Sequence, residues 1–350
     1  MSMTDSTVTT QPTDAERAAG STLLRMIWGI HTSRAVYAVA ELGIADLLAD
    51  GPVSSTELAR ATSTHEPSLY RVLRLLAALG VLEEHAGHSF SATIVGERLR
   101  TAAPAGMRSW ATFLEVLGGV RPFAHILQTL KTGRSGREIE FGVELFASIA
   151  EDPNAQAIFN AAMSERTAAY APSVADRCDF ADARRVVDVG GGNGTLLVEI
   201  LRRNPHLTGV LLEIPAVAAH ADAILDATDI ADRCEVLAGD FFERIPEGAD
   251  RYVLANVIHD WDDAHAIEIL SNCRRSIATS GRVLIVERLI PDDGGDAVPT
   301  LLSDINMLVL TGGRERTNAE YGELLASAGL KLGTVLPVAF PYGVIEGLAA

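Results

Sequence analysis

Apolar residues recur at two different spacings along the chain, and the change of spacing divides it into regions. Before residue 100 they return every three or four positions, as on one face of a helix. The predicted elements are helices at 21–49, 54–59 and 68–79 and a hairpin at 81–93. This order is typical of a winged helix, so we predict a winged-helix-like domain at 20–100, after a polar, disordered tail at 1–19.

After residue 176, short apolar runs alternate with stretches of helical spacing. The predicted strands are 186–189, 210–213, 234–237, 251–257 and 282–287, with a C-terminal hairpin at 331–340 and 342–348. Thr317 and Glu320 have the spacing of a capping box that begins the last helix. The alternation predicts an α/β fold with a Rossmann-like, doubly wound, mostly parallel sheet over 176–350.

The region between these two, residues 101–175, has helical spacing throughout and carries aromatic side chains such as Trp110 and Phe159. Each of them belongs either to a hydrophobic core or to the wall of an apolar ligand pocket. We predict a helical segment that contributes to binding an acceptor molecule.

The net charge of −17 changes how the N-terminal domain is interpreted. Winged helices often bind DNA, but an acidic chain is repelled by phosphate groups and by anionic lipid. The second helix of the motif, 68–79, offers only Arg71 and Arg74 as charges. We therefore favour a dimerisation or lid module and predict no binding to nucleic acid or membranes. No apolar run approaches the ~18 residues of a membrane span.

The cysteines indicate a reducing compartment. Cys178, Cys234 and Cys273 are odd in number and widely spaced, which fits neither a disulfide framework nor a zinc site. The first residues also lack the pattern of a signal peptide. We predict a cytoplasmic protein that holds no metal.

The region around 186–194 combines a strand, a glycine-rich turn and the start of a helix, which is the arrangement of a nucleotide site. Asp188, Glu213 and Asp240 lie at the ends of the first three predicted strands. Because ligands bind outside the carboxyl ends of strands in such sheets, we expect these acids to lie close together.

The three acids favour S-adenosylmethionine (SAM) as the ligand. Glu213 suits both ribose hydroxyls, Asp240 the adenine amine and Phe241 the adenine face. Asp188 beside the turn would repel a pyrophosphate but attract a sulfonium cation. The glycines agree, because Gly190, Gly192 and Gly194 form G-x-G-x-G rather than the G-x-G-x-x-G of dinucleotide sites.

His259, at the end of the fourth predicted strand, is the candidate general base, since an imidazole titrates near neutral pH. Glu287 and Glu315 are candidates for hydrogen-bonding the imidazole and stabilising its charged form. The alternative for Glu315 is an ion pair with Arg314 or Arg316.

Four ordered motifs carry a family resemblance. They are DVGGGNG at 188–194, GDFF at 239–242, HDWDD at 259–263 and GGRERT at 312–317. Together they resemble the plant caffeate/flavonoid-type O-methyltransferases and their actinobacterial relatives, which act on polyketides and other aromatic natural products. The segment FNAAMS at 159–164 is also similar to that family.

The resemblance implies roles for particular residues. Together with the sequence patterns above, it gives Asp188, Gly190, Gly192, Glu213, Asp240 and Phe241 as the residues expected to bind SAM. The residues expected near the acceptor are Trp110, Phe159, Met163, Asp260, Asn306 and Met307. His259 would be the base, flanked by Glu287 and Glu315. The resemblance further implies a homodimer through the N-terminal domain, in which Trp28 and His31 close the partner's acceptor site.

The chain departs from the plant pattern at three places. Ala255 stands where plant members have a lysine, Leu310-Thr311 where an asparagine is frequent, and Glu213 where many members have aspartate. The first removes a contact on the adenine side, the second alters the acceptor pocket, and the third preserves a carboxylate for the ribose.

We therefore predict a SAM-dependent O-methyltransferase that methylates a hydroxyl, expected to be phenolic, of an aromatic or polyketide-type secondary metabolite and releases S-adenosylhomocysteine. One alternative keeps the fold but uses SAM without methyl transfer, for hydroxylation, decarboxylation or a pericyclic reaction. Another, from a different class, is a ligand-sensing winged-helix regulator.

Overall fold

The structure is a computed structural model that describes residues 13–101, 103, 106–292 and 294–349. It divides into two units, Met1–Thr112 and Phe113–Ala350. The division lies beyond the predicted boundary at residue 100, and the helical segment that we predicted as a region of its own falls mostly within the second unit.

The N-terminal unit contains five helices and a small sheet within its described part. Its helices are α1 Asp14–Ile27, α2 Gly29–Glu41, α3 Ile44–Leu47, α4 Ser55–Ala61 and α5 Glu66–Ala78, and its strands are β1 Val53–Ser54, β2 Leu82–His85 and β3 Ser89–Ala92. The sheet is antiparallel, in the order β1–β3–β2. The predicted order of two helices and a hairpin is present as α4, α5, β2 and β3; the winged-helix assignment itself stays a prediction.

Helix α1 begins earlier than predicted and is unusual in its packing. Thr13 and Glu16 form a capping box, so the helix already starts at Asp14, inside the predicted disordered tail. The rest of that predicted tail, residues 1–12, lies outside the described residues. None of the residues of α1 is buried, and Met26, at its C-terminal end, is 71% exposed. The apolar positions that predicted a helix here therefore do not contribute to the core of this protomer.

The aromatic segment is helical, as predicted, but broken into short pieces. The helices are α6 Arg108–Val116, which crosses the division between the units, α7 Ile126–Thr132, α8 Gly136–Phe141, α9 Leu145–Ala150 and α10 Pro153–Arg177. Left-handed glycines at 133 and 142 end α7 and α8. Asp152 caps α10 by accepting from the backbone N–H groups of Asn154 and Ala155.

A mostly parallel sheet forms the centre of the second unit. Its strands are β4 Arg185–Val189, β5 Thr208–Glu213, β6 Cys234–Ala238, β7 Arg251–Ala255, β8 Arg282–Ile290, β9 Arg316–Thr317, β10 Leu330–Pro337 and β11 Tyr342–Ala349. The order is β10–β11–β8–β7–β4–β5–β6, with β9 paired to β8. Strands β4 to β8 are parallel to one another, and the hairpin β10–β11 joins them antiparallel, so the predicted fold class is confirmed.

Helices cover both faces of this sheet. They are α11 Thr195–Arg203, α12 Pro215–Leu225, α13 Asp263–Ser276, α14 Val298–Leu310 and α15 Asn318–Ser327. Val186 packs into a core with α10, α11 and α12, whereas its neighbour Val187 packs into a second core with α13 and α15. Both faces of the strands are thus buried, which explains why they read as continuous apolar runs.

Strand β7 ends at Ala255, two residues before the predicted end. Asn256 has a φ of 55°, in the left-handed region, and turns the chain out of the sheet. The consequence is that His259 lies on a separate turn rather than on the strand itself. None of the helices in the described part of the chain combines the length and the apolar character that a membrane crossing needs.

Candidate active site

The glycine-rich turn connects β4 to α11 at the carboxyl edge of the sheet. Gly190, Gly192 and Gly194 all have positive φ values, between 59° and 74°, which explains the alternate-glycine spacing. Gly191 is required for another reason: a Cβ at this position would overlap the carboxylate of Asp188. Gly191 was not among the predicted site residues, although it lies within the run of three glycines at 190–192.

Asp188 is a fully buried carboxylate at the end of β4. Neither of its oxygens has a hydrogen-bond partner among the described residues. Burial, and then the nearby charge of Glu213, raise the pKa of Asp188 to about 7. A buried carboxylate without a partner is energetically costly, and a cationic ligand bound beside it would offset that cost.

Glu213 ends β5 and contacts the same turn. Its carboxylate accepts the backbone N–H groups of Gly192, at 3.2 Å, and Ile214, at 2.7 Å. Burial raises the pKa of Glu213, while these two hydrogen bonds work in the opposite direction. Each oxygen has accepted one hydrogen bond and retains the capacity to accept a second from a ribose hydroxyl.

Asp240 and Phe241 follow β6 and complete this side of the site. Asp240 is exposed, and one of its oxygens accepts the N–H of Phe242 at 2.8 Å. The ring of Phe241 lies beside Gly190, since a Cβ on that glycine would stand 3.5 Å from it. Asn272 fixes the loop from beneath by donating to the carbonyl oxygens of Phe241 and Phe242. This arrangement fits a nucleoside: a carboxylate at the ribose, an aromatic face, and an unpaired acid for a cation.

His259 occupies one turn of 3₁₀ helix, Ile258–Asp260, and is only 2% exposed. Its Nδ1 lies 3.0 Å from Oε1 of Glu315 and 3.5 Å from Oε2 of Glu287. Because an ionised carboxylate can only accept, Nδ1 carries a proton and Nε2 is the nitrogen that can take one. Nε2 is 3.8 Å from the nearest oxygen of Asp260.

The two glutamates have different contacts, which the sequence could not distinguish. Oε1 of Glu287 accepts the backbone N–H groups of Val257, Ile258 and His259, at 2.9 to 3.3 Å. Glu287 therefore holds the turn itself. Glu315 makes the hydrogen bond to the imidazole and holds the ring.

The charges around His259 favour its protonated form. Burial lowers the pKa of His259, but Glu287 and Glu315 outweigh it and raise the pKa to about 9. Burial raises the pKa of Glu287 to about 7, against the opposing effect of His259. Burial also raises the pKa of Asp260, to about 6.

The segment 312–317 packs tightly against the His259 turn. A Cβ on Gly313 would overlap the carbonyl oxygen of His259, and the N–H of Arg314 donates to that oxygen at 2.8 Å. The buried guanidinium of Arg316 donates to the carbonyls of Ile258 and Trp261. Sequence reasoning assigned no role to Gly313 or to Arg316 beyond a possible ion pair.

That alternative, an ion pair of Glu315 with a neighbouring arginine, is wrong. Arg314 pairs with Glu320 and Asp263, and Arg316 also pairs with Asp263. Glu315 instead pairs with His259.

The predicted acceptor residues lie in three places. Phe159, on α10, contacts the rings of Phe113 and Phe146, and Phe146 stacks on Trp261, next to Asp260. Met163 is partly buried on the same helix. Asn306 is partly buried and Met307 buried on α14. Trp110, on α6, belongs to the N-terminal unit.

Helix α10 also makes two polar contacts with the carboxyl edge of the sheet that the sequence did not reveal. Asn193, in the glycine turn, donates to Ser164 at 3.1 Å. Asn256 donates to the buried hydroxyl of Tyr170 at 2.6 Å. Helix α10 is thereby fastened both to the glycine turn and to the segment that leads to His259.

Within the described residues, His259, Glu287 and Glu315 are the one group of three or more His, Cys, Asp and Glu residues whose possible metal-ligand atoms all lie within 4.8 Å of one another. Their hydrogen bonds already engage Nδ1 and one oxygen of each carboxylate. We assign the group to proton chemistry.

The chain is similar to known O-methyltransferases over most of its length. The chain matches the O-methyltransferase dimerisation domain over residues 24–102 and the O-methyltransferase domain over residues 123–331. It is 40% identical to a phenazine O-methyltransferase from Lysobacter antibioticus, over 93% of this chain and 95% of that protein.

Solved structures are similar over nearly the whole chain. The mitomycin 7-O-methyltransferase is 36% identical, with a TM-score of 0.90 over 97% of this chain and all of that one. An O-methyltransferase from neocarzinostatin biosynthesis, in complex with SAM and a naphthoic acid, is 33% identical, with a TM-score of 0.81 over 91% of this chain and 96% of that one.

Proposed function

We propose that the chain, which belongs to the O-methyltransferase family and is a SAM-dependent enzyme, methylates a phenolic hydroxyl of an aromatic natural product. The proposed general base is His259. The observation that carries the assignment of the base is the buried imidazole whose Nδ1 is held by Glu315, which directs Nε2 to the incoming proton. The relatives support the acceptor class, since their names and ligands are phenazine, mitomycin and naphthoic acid.

In the proposed reaction the acceptor hydroxyl gives its proton to Nε2 of His259 as its oxygen attacks. SAM supplies a methyl group on a positively charged sulfur; the new oxygen–methyl bond replaces the sulfur–methyl bond, and S-adenosylhomocysteine leaves. Glu315 stabilises the imidazolium that forms, and Glu287 keeps the backbone turn in place. Much of the rate enhancement comes from holding the two reactants in line.

We propose that SAM lies between the glycine turn and Phe241. Asp240 would accept from the adenine amine and Glu213 from the ribose hydroxyls, and Asp188 would supply negative charge beneath the cationic part of the molecule. Two observations support this placement. The oxygens of Asp188 have no hydrogen-bond partner of ordinary geometry among the described residues, and each oxygen of Glu213 can accept one more hydrogen bond.

The raised pKa of His259 limits its capacity to act as a general base in the SAM-free enzyme. An imidazole with a pKa of about 9 is mostly protonated at neutral pH and cannot accept a proton. A sulfonium cation bound nearby repels the imidazolium and lowers this pKa. Binding of SAM would thus increase the neutral fraction of His259 at pH 7, by about tenfold for each unit that the pKa falls.

We propose that the acceptor lies between α10 and α14. Phe159 and Met163 would contact its ring from one side and Asn306 and Met307 from the other, with Asp260 beside the reacting hydroxyl. The aromatic contacts from Phe159 through Phe146 to Trp261 support an apolar wall that leads to His259. Trp110 stays a proposed acceptor residue on the pattern of aromatic side chains in 101–175 alone.

The N-terminal domain matches a dimerisation domain, and we propose that the enzyme is a homodimer in which Trp28 and His31 close the partner's acceptor site. The absence of buried residues in α1 supports this, because Leu23, Met26 and Ile27 need a partner surface. Light scattering after size-exclusion chromatography tests it: M26D should shift the mass from dimer towards monomer. A wild-type protein of monomeric mass would refute the proposal.

The test of the proposed function is a reaction with SAM and a panel of hydroxylated phenazines, naphthoates and quinones. A methylated product and one equivalent of S-adenosylhomocysteine per product are expected. The alternative in which SAM is a non-methylating cofactor predicts an altered acceptor without S-adenosylhomocysteine. The expectation that the chain does not bind nucleic acid rests on its net charge and on the few charged residues of helix 68–79.

A further inference from the structure

Ser303, on α14, contributes to the base cluster although no motif includes it. Its hydroxyl donates to Oε1 of Glu315 at 2.7 Å. The same oxygen accepts from Nδ1 of His259 at 3.0 Å. One carboxylate oxygen therefore serves two donors, while Oε2 of Glu315 has no hydrogen-bond partner among the described residues.

This hydrogen bond is not the usual one for a serine in a helix. Hydroxyls in helices commonly donate to a backbone carbonyl one turn earlier, as Thr311 does to Met307 on the same helix and Ser327 does to Glu323 on α15. Ser303 instead donates to the side chain of Glu315, twelve residues later, in the segment that follows α14.

Helix α14 holds Glu315 at a second point. Asp304, the residue after Ser303, accepts the backbone N–H of Glu315 at 2.9 Å. The main chain and the side chain of this buried glutamate are thus both fixed by α14. The same helix carries Asn306 and Met307, which the proposed function places at the acceptor.

We propose that Ser303 is a positioning residue of the methyl transfer: its hydroxyl holds Oε1 of Glu315 against the imidazole of His259 and reduces the strength of Oε1 as a hydrogen-bond acceptor. The proposal rests on the proposed function for its catalytic meaning. The effect of Ser303 on the pKa of His259 through Glu315 does not depend on the proposed function.

The sign of the effect follows from the shared oxygen. A hydroxyl that donates to a carboxylate stabilises its charge and competes with the other donor for electron density. Without the hydroxyl, Oε1 becomes a stronger acceptor for the Nδ1 proton, and the imidazolium is favoured over the neutral ring. The pKa of His259 therefore rises when Ser303 loses its hydroxyl.

Other charged and titratable groups also surround the pair, and the substitution leaves all of them in place. They are Glu287 and Arg288 on β8, Asp260 on the His259 turn, Arg166 on α10, Asp304 on α14, Arg316 on β9 and Tyr321 on α15. A shift caused by S303A is therefore assignable to the lost hydroxyl.

The decisive experiment is an NMR titration of imidazole nitrogens labelled with ¹⁵N in the full-length enzyme without acceptor. His259, one of nine histidines, is identified by the resonance that disappears in H259Q. In S303A we expect its pKa to rise by about half a unit. S303T, which keeps the hydroxyl, and S327A, which loses an exposed one, should titrate like the wild type.

Two outcomes would overturn the proposal. One is a pKa of His259 in S303A that is unchanged or lower. The other is an equal shift in S303T, which would assign the effect to packing. The double variant S303A/E315Q adds a check on the route, because S303A should cause no shift once Glu315 is uncharged; a shift that persists there also refutes the proposal.

The kinetic consequence separates this proposal from the proposed function. The acidic limb of the pH profile of kcat should move upward by the same half unit in S303A, with little change in KM for the acceptor. If the NMR shift appears but the profile does not move, the assignment of His259 as base fails and the role of Ser303 at Glu315 stands.

Discussion

Two groups of buried carboxylates lie at the carboxyl edge of the same sheet, and they differ in how their charge is compensated. Glu287 and Glu315 accept hydrogen bonds from three backbone N–H groups, a serine hydroxyl and an imidazole. Neither oxygen of Asp188 makes a hydrogen bond of ordinary geometry within the described residues, and the backbone N–H of Leu197 favours its charged form only weakly, although Asp188 is equally inaccessible to water. In the first group one oxygen of each carboxylate has its hydrogen-bond partners within the protein, whereas Oε2 of each has none among the described residues. In the second group neither oxygen has one, and we propose that a cationic ligand compensates the charge of Asp188.

This difference separates the two tasks of the site. A carboxylate that already has its partners gives a fixed geometry, which suits the positioning of a base. An acid that lacks a partner destabilises the free protein and releases that free energy when a cation binds. Substitutions in the first group should therefore change the rate, and substitutions in the second should change cofactor affinity and the stability of the free enzyme.

The largest effect is expected from H259A. Losing the general base should lower the rate of methyl transfer at least about a hundredfold, the lower end of the usual range for such a group. The affinity for SAM, measured by calorimetry, should not fall and should rise by up to about tenfold at neutral pH, because the protonated imidazole that repels the sulfonium is removed. The exposed His220, on α12, provides a control, and H220A should keep full activity.

The two glutamates beside His259 should separate under isosteric substitution. E315Q should lower kcat about thirtyfold, less than loss of the base itself, because only the orientation and charge partner of the ring are removed. E287Q should lower the free energy of unfolding by about 2 kcal/mol, because a neutral amide anchors three N–H groups less strongly, and it should also lower the pKa of His259, because the charge of Glu287 favours the imidazolium. Equal kinetic and stability profiles for the two variants would contradict the division of roles.

D188N tests the other side of the comparison. The affinity for SAM should fall about tenfold, equivalent to one modest charge interaction, while the Tm of the SAM-free variant at pH 8 should rise by about 5 °C. In the folded wild-type protein the pKa of Asp188 is about 7, above its ordinary value of 3.8, so ionisation of Asp188 favours the unfolded state. In the wild type this lowers stability as pH rises from about 4 to 7, and D188N should lack that decline. A variant that loses both stability and affinity would show that Asp188 is simply structural.

The smallest expected effect is on the pKa of His259, and it connects the His259 cluster with the proposed SAM site beside Asp188. Binding of SAM should lower the pKa of His259 by about one unit, because a second positive charge is brought near the imidazolium. The ¹⁵N titration of His259 with and without SAM measures it, with S-adenosylhomocysteine, which lacks the sulfonium charge, as control. Equal shifts with both ligands would attribute the change to burial rather than charge.

The sequence predicted the fold class well and the site unevenly. The alternation of strands and helices, the strand-end acids and the glycine spacing were all local patterns, and the structure brings Asp188, Glu213 and Phe241 to one turn. The unequal roles of Glu287 and Glu315 were not readable, because they depend on which backbone N–H groups meet which oxygen across strands.

Two kinds of feature escaped prediction for physical reasons. Ser303 and Asn256 act through long-range side-chain contacts, and neither has a local signature. The beginning of α1 at Asp14 was missed because its capping box precedes the apolar positions, and those positions are exposed in the protomer instead of packing into its core. Amphipathic spacing predicted the helix but not where its apolar face would be covered.

The bare apolar side of α1 has a practical consequence for anyone who handles this enzyme. A surface that must be covered by a second molecule is covered by mass action, so the fraction of complete molecules depends on dilution. Specific activity should then decline as the enzyme stock is diluted below the dissociation constant of the dimer, without any loss of folded protein. Activities measured at a single low concentration would underestimate the enzyme, and a dilution series belongs in every comparison between variants.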